Sequence, residues 1–226
     1  MNEHLKVYCL DREVEGIVFD LDGTLIDSIN TYFEVFRDAV AHVGIIVNRE
    51  DVLDPMVTGS LIWDRAVPFG ISNREEKIAK CMSVIPQIFA EAIKKVKVFP
   101  GVESVLRTLL GRNLKLGLVT NSRRPALHPI EEQEITHFFE SIITSEDGFP
   151  QKPSPLALLE CLRRLSVKPR NALSVGDSPL DIRAGNLAET LTIGVLSGIG
   201  NRQQLESERP IAVLSDVNDI LNFLVL

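Results

Sequence analysis

Apolar positions follow two rhythms along this chain. From Lys97 onward, continuous apolar runs at 114–120, 142–144, 172–175, 191–196 and 211–214 alternate with segments whose apolar residues recur every three or four positions. The runs read as strands, and the periodic segments at 102–110, 154–165, 180–188 and 217–224 read as helices. The first of these helices opens after Pro100-Gly101 and closes near Gly111. The second takes Ser154 as N-cap and Pro155 in its first turn. Strand, helix, strand, helix at these lengths makes βαβ units and a parallel sheet. Runs without polar interruption fit strands that helices cover on both faces. One more apolar run, 16–19, stands apart near the N-terminus.

Between 26 and 96 the rhythm is helical throughout. Tyr32, Phe33, Phe36, Val40 and Val43 share one face of an amphipathic helix. Residues 75–95 read as one or two helices, with Pro86 starting the second or kinking the first. The pattern therefore predicts an α/β core made of 1–25 and 97–226. An all-helical insert, 26–96, interrupts it just after its first strand and has the size of a small helical domain. No internal repeat or low-complexity linker is visible.

Composition narrows the picture. A chain of 226 residues suffices for one sizeable core, or one core and a small accessory unit. With 45% hydrophobic and 24% charged residues it reads as soluble and globular. It has no apolar run of about 18 residues, so no membrane span is expected. The charged N-terminus lacks an apolar signal core, and a cytoplasmic location follows as the expectation. Cys9, Cys81 and Cys161 are far apart and odd in number, which fits free thiols in a reducing cytosol rather than disulfides or a zinc site. The net charge of −7 argues against a nucleic-acid surface. It leaves room for a small anionic substrate met by local cations and a metal. The run Lys94-Lys95-Val96-Lys97 reads as a solvated helix C-terminus.

The chemistry collects after the strands, where open parallel sheets bind their ligands. The run 16–19 ends in Asp20, with Asp22, Gly23 and Thr24 following. A core strand gains nothing from buried acids, so this pair marks a site. Thr120, Asn121 and Ser122 follow the second strand. Gly176-Asp177-Ser178-Pro179-Leu180-Asp181 follows 172–175, and Lys152 stands in the loop before the helix at 154–165. Read singly, these are a helix cap, a turn and a surface lysine; together they fall at one edge of one sheet. Two carboxylates about 4 Å apart repel by roughly 4 kcal/mol near a protein surface. Converging acids therefore need a cation, and an oxygen-only donor set points to a hard one, Mg²⁺. Metal, lysine, hydroxyl and turn amides make a cradle for a phosphoryl group, which a carboxylate held there can attack.

Over nearly its whole length the chain resembles the haloacid dehalogenase superfamily of phosphohydrolases. Four family motifs stand in order: Asp20-Leu-Asp-Gly-Thr-Leu25, Val119-Thr-Asn-Ser122, Lys152-Pro-Ser-Pro155 and Gly176-Asp-Ser-Pro-Leu-Asp181. Pro100-Gly101-Val102, Ile193-Gly194-Val195 and Gly198 resemble the phosphoglycolate phosphatase and β-phosphoglucomutase branch. The resemblance implies a Rossmann-like parallel sheet core with an inserted all-helical cap domain after the first strand. It implies Asp20 as nucleophile and metal ligand, and Asp22 as proton shuttle whose backbone carbonyl also binds the metal. Thr120, Lys152 and the Asn121 amide would hold phosphate oxygens, and Gly23 would let the backbone approach them. Asp177 would bind Mg²⁺, with Asp181 a direct or water-mediated ligand. The substrate implied is a small phosphorylated metabolite, chosen by a cap loop at Thr58-Gly59.

Three stretches depart from the family. Arg123–Pro129 carries two prolines, 146–151 is unusual in its Gly and Pro, and 186–190 lacks the usual small residues. They bear on subfamily and substrate, not on the reaction. A phosphotransferase or mutase using the same aspartyl-phosphate is the nearest alternative, and a non-catalytic binding protein on this fold a more distant one. A dehalogenase or phosphonate hydrolase has no need of Asp22. In the insert, Trp63 reads as packing, and Arg65 and Arg74 as surface ion pairs. Oligomeric state is not legible.

Overall fold

A computed structural model describes residues 7–9 and 12–224. Residues 1–6, 10, 11, 225 and 226, which the pattern assigns to the core, lie outside the described residues. The chain opens with an antiparallel pair, β1 (Val7–Cys9) and β2 (Arg12–Val14), which the apolar pattern does not predict. β3 (Gly16–Phe19) is the first strand of the main sheet. Four helices follow: α1 (Ile29–Ala41), α2 (Arg49–Thr58), α3 (Ile62–Ala66) and α4 (Arg74–Ala92). Then come α5 (Val102–Gly111), β4 (Lys115–Val119), α6 (His128–Glu132), β5 (Ser141–Ile143) and α7 (Leu156–Leu165). The chain continues through β6 (Ala172–Gly176), α8 (Pro179–Leu187), β7 (Leu191–Val195), α9 (Arg202–Ser207) and β8 (Ala212–Leu214).

Six strands form one parallel sheet in the order β5-β4-β3-β6-β7-β8. Strand alternation explains its two covered faces. Ile17 and Phe19 join Leu116, Leu118, Leu173, Val175 and Ile193 in one apolar cluster, under α5 and α6. Val18 and Val119 turn to the other face, onto Ala157, Cys161, Leu162 and Leu165 of α7. Small residues set how closely that second layer sits. A Cβ on Gly117 would lie 2.4 Å from Cys161 Sγ, and one on Gly185 of α8 would lie 2.2 Å from Ser174 Oγ. Cys9, Cys81 and Cys161 are free and buried, as their spacing implied.

The segment between Ile26 and Val96 contains only helices among its described regular elements and holds an apolar cluster of its own, built on Ala39, Val40, Val52, Ala66, Val67 and Cys81. α4 runs through Pro86 as one helix. The chain leaves and returns to the sheet side by side. Asp27 N–H donates to Lys97 O at 2.9 Å, Phe99 N–H donates to Leu25 O at 2.9 Å, and Ile26 bridges Val98 antiparallel.

Other boundaries move by a residue or two. α7 begins at Leu156 with Pro155 as its N-cap, because Ser154 Oγ accepts only a long bond from Leu156 N–H, at 3.4 Å. The predicted helix at 217–224 is a 3-10 helix, Val217–Asn222, capped by the Asp216 carboxylate, which accepts from Asn218 N–H. No described helix is long and apolar enough to cross a membrane.

Candidate active site

β3 lies between β4 and β6, and the pairing is in step: Phe19 is level with Leu118 and with Val175. The three strands therefore end together, and the connection from β3 runs to one side while β6 returns on the other. That reversal opens a crevice beyond the carboxyl ends. Asp20, Thr120 and Asp177 each stand at or just past one of these ends. Asp20 N–H still donates to Val175 O at 2.9 Å, which continues the ladder by one residue and fixes the direction of its carboxylate.

Four charged groups meet in the crevice. Asp20, Asp177 and Asp181 can each place one carboxylate oxygen within 4.8 Å of the others, and all three are buried. Lys152 reaches between two of them, with Nζ 2.6 Å from Asp20 Oδ1 and 2.7 Å from Asp181 Oδ1. Asn121 holds the lysine's loop: Lys152 N–H donates to Asn121 Oδ1 at 2.8 Å, and Asn121 Nδ2 donates to Lys152 O at 3.4 Å. Asp181 sits in a capping box with Ser178, accepting from Ser178 N–H at 3.0 Å and from Ser178 Oγ at 2.5 Å. Asp177 Oδ2 accepts from Ile199 N–H at 2.7 Å.

Three carboxylates facing one ammonium are undercompensated. Burial pushes the Asp20 carboxyl up to about 8. Lys152 opposes this, while Asp181 and Asp22 add to it. Asp177 is driven well above the usual carboxylate range by burial, then by Asp181 and Asp20. Burial alone would lower Lys152, but its two carboxylate partners outweigh that and raise it. Buried acids with oxygen-only donors and a shortage of positive charge suit a hard divalent cation, so Asp20, Asp177 and Asp181 are the residues that could hold Mg²⁺.

Asp22 is held apart from this cluster. Its Oδ1 accepts from Ser28 Oγ at 2.7 Å. Its Oδ2 accepts from Ser122 Oγ at 2.6 Å and from Thr120 Oγ1 at 3.3 Å. Tyr32 Oη lies 2.6 Å from Ser122 Oγ. Burial raises the Asp22 carboxyl, and the surrounding hydroxyls offset only part of that rise. Of the metal-site residues named from sequence, Asp22 alone keeps its carboxylate out of the triad.

Gly23 has φ +74°, and a Cβ there would lie 2.5 Å from Asp177 Oδ2 and 2.7 Å from Gly198 Cα. Its close approach is to Asp177 and Gly198, and it is not part of the cavity wall. Gly59 lines the cavity. Thr58 does not; its Oγ1 donates to Asp54 O at 3.0 Å and lies 2.9 Å from Ser60 Oγ. Arg65 and Arg74 are the ion pairs expected, to Asp54 and Asp64, both at 2.8 Å. Trp63 packs edge-on against Phe36 but also lines the cavity, as do Tyr32 and Phe36.

Sequence reasoning missed the grip on Asp22. Tyr32 sits at a helical apolar spacing, and nothing in that pattern shows that its hydroxyl joins a polar cluster. The two departures around Lys152 touch each other: Arg123 pairs with Glu146 at 2.9 Å and Arg124 with Asp147 at 3.4 Å.

Comparison with known proteins bears on the family and the fold. A phosphoglycolate phosphatase of Yersinia pestis is 28% identical over 215 residues, covering 93% of each chain. One from Escherichia coli K12 is 27% identical over 232 residues, covering 93% of this chain and 92% of its own. Among solved structures, a predicted phosphoglycolate phosphatase from Haemophilus somnus superposes with a TM-score of 0.81. At 23% identity over 92% of this chain and 97% of that one, it speaks for the fold alone. A β-phosphoglucomutase from Clostridium difficile gives 0.75 at 25% identity, over 92% of this chain and 93% of its own. Residues 17–195 match the family model of the haloacid dehalogenase-like hydrolases. With that match reaching from the second residue of β3 to the last of β7, the chain belongs to the haloacid dehalogenase-like hydrolases.

Proposed function

We propose that this chain is a Mg²⁺-dependent phosphatase that hydrolyses a small phosphate monoester through an aspartyl-phosphate on Asp20. The observation that carries the reading is the division of labour between two aspartates two residues apart. Asp20 faces Lys152 and joins Asp177 and Asp181 in the acidic triad, whereas Asp22 is wrapped in hydroxyls with its carboxyl raised by burial. A bound Mg²⁺ would supply the charge that lets the triad ionise together and would polarise the phosphoryl oxygens.

The chain's own residues do the rest. Asp20 attacks phosphorus and forms the acyl-phosphate bond as the ester oxygen leaves. Protonated Asp22 gives its proton to that leaving oxygen, so a neutral alcohol departs. Water then attacks the phosphoryl group, Asp22 takes the proton back, and the acyl-phosphate bond breaks to free phosphate and Asp20. Lys152 and Thr120 neutralise and orient phosphoryl oxygens. Asn121 positions the lysine through its loop, and its backbone amide is a further donor to the phosphate. Residues 26–96 act as a cap over a core made of 1–25 and 97–226, excluding water and setting specificity, with Gly59 at the cavity. The helix-only insert with its own apolar cluster supports that division.

The likeness to a β-phosphoglucomutase favours one second reading, transfer of the same phosphoryl group to a sugar. Phosphate release is the test. Wild-type protein with Mg²⁺ releases phosphate from esters without an acceptor, and EDTA or Asp20→Asn abolishes release while the protein stays folded. Near wild-type turnover of Asp20→Asn would sink the mechanism, and release only with an acceptor would select the transferase.

A further inference from the structure

We infer that the group esterified to the phosphate is uncharged and presents an apolar ring or chain, rather than a carboxylate or a second phosphate. This rests on the phosphatase reading. The cavity over Asp20 measures about 460 Å³, far more than a phosphoryl group fills, and its two ends differ in chemistry. The floor holds the charged groups. The roof is made by Tyr32, Phe36, Met56, Leu61, Ile62 and Trp63.

Charge bookkeeping at the roof decides the matter. Among the described residues lining the cavity, Lys152 is the one cation, and it lies in the floor between Asp20 and Asp181. The arginines of the insert are occupied elsewhere. Arg65 pairs with Asp54 and Arg74 with Asp64; Arg74 also donates to the carbonyls of Trp63 and Val67. Arg37 pairs with Asp38, and Arg49 lies over the Phe33 ring. None of them lines the cavity. A second anion lodged under this roof would lose part of its hydration with no side-chain countercharge beside it, which disfavours its binding.

Shape favours an apolar face. Phe36 and Trp63 meet at 60° with centroids 5.7 Å apart, leaving a corner into which a ring can offer its face or edge. The Tyr32 ring is held by Phe89 at 5.5 Å and by its hydroxyl on Ser122. Leu61 is 70% exposed at the rim, apolar surface that a bound group of this kind would cover. Ser60 and Gln151 are neutral lining groups able to orient a hydroxyl or carbonyl.

The test compares benzyl phosphate with 2-phosphoglycolate, whose leaving oxygens are both primary alkoxides. It is paired with equilibrium binding of benzylphosphonate and phosphonoacetate in Mg²⁺, which needs no turnover. Benzyl phosphate is expected to show kcat/KM at least about tenfold above phosphoglycolate, mostly through KM, and benzylphosphonate to bind about tenfold tighter. Trp63→Ala should raise KM for benzyl phosphate about fivefold or more and hardly change that for phosphoglycolate. Leu61→Arg, at an exposed position where folding is not at risk, should move the preference toward phosphoglycolate. Equal or tighter binding of phosphonoacetate, or preferred hydrolysis of phosphoglycolate, would overturn the inference and leave the phosphatase intact. Turnover of every ester at the Asp20→Asn level, with tight benzylphosphonate binding, would overturn the phosphatase and the substrate inference together.

Discussion

Ser122 carries more of the chemistry than its place at the end of a motif suggests. Its hydroxyl donates to Asp22 at 2.6 Å and touches Tyr32 at the same distance, so it holds the residue proposed above to carry the proton and ties the insert to the core. Ser122→Ala should leave the fold intact and lower kcat about tenfold, the scale of one hydrogen bond to a charged group. Because that bond holds Asp22 in its ionised form, its loss raises the carboxyl further, and whichever limb of the pH–rate profile Asp22 controls moves to higher pH. An unmoved profile would deny Asp22 its role. Asp20 has its own pH signature. Its folded pKa of about 8 lies above the usual carboxylate value of about 3.9, so its stabilising contribution is full below the latter. That contribution fades as pH rises through the former. Metal-free protein should therefore melt at lower temperature at pH 8.5 than at pH 5.5, and Mg²⁺ should raise Tm more at the higher pH. A metal effect equal at both would count against the triad as the binding site. Asp20 and Asp22 were legible because acids ending an apolar strand have no packing explanation, and Thr120 and Lys152 because they fall at the same sheet edge. The hydroxyls of Ser28 and Tyr32 were not, because each has an ordinary local role and only the fold brings them to Asp22.

Among the elements, α8 shows how packing serves the site. It begins with the Ser178–Asp181 box and is drawn onto β6 and β7 at Gly185, where a Cβ would lie 2.2 Å from Ser174 Oγ and 2.4 Å from Thr192 Cγ2. Gly→Ala inside a helix ordinarily gains up to about 1 kcal/mol. Here overpacking should win, destabilising by about 1–3 kcal/mol and weakening Mg²⁺ binding as the helix shifts Asp181. A stabilised Gly185→Ala would show that the helix sits looser on the sheet. Cys161 of α7, pushed up to about 11 by burial, should stay unreactive to alkylating reagents at pH 8 in the folded protein and react once it is unfolded. The strands of the sheet were readable because each is a continuous apolar run. β1, β2, α6 and α9 were not, since three to six residues are too few to show a period. The C-terminal turn misled for a related reason: its apolar spacing suits an α-helix, and it closes as a 3-10 helix on the Asp216 cap.

At the scale of the whole molecule, the insert holds an apolar cluster of its own while Ile26, Ile93 and Val96 at its ends join the cluster of the sheet, and the change from one unit to the other was visible as a change of rhythm. What the rhythm could not convey is that the insert's aromatic residues share a cavity with the acids, since that depends on how α1 and α3 are placed in space. Replacing residues 30–92 by a short Gly-Ser turn should leave a cooperatively melting core that still binds Mg²⁺ and has lost its choice among esters; an unfolded product would show the two cores to be interdependent. The doubled crossing at Leu25–Asp27 and Lys97–Phe99 gives that expectation a mechanical side. Two backbones bonded edge to edge form a ribbon, stiff in the plane of its hydrogen bonds and compliant across it. We expect a body carried on such a ribbon to rock about a single line, as a door does.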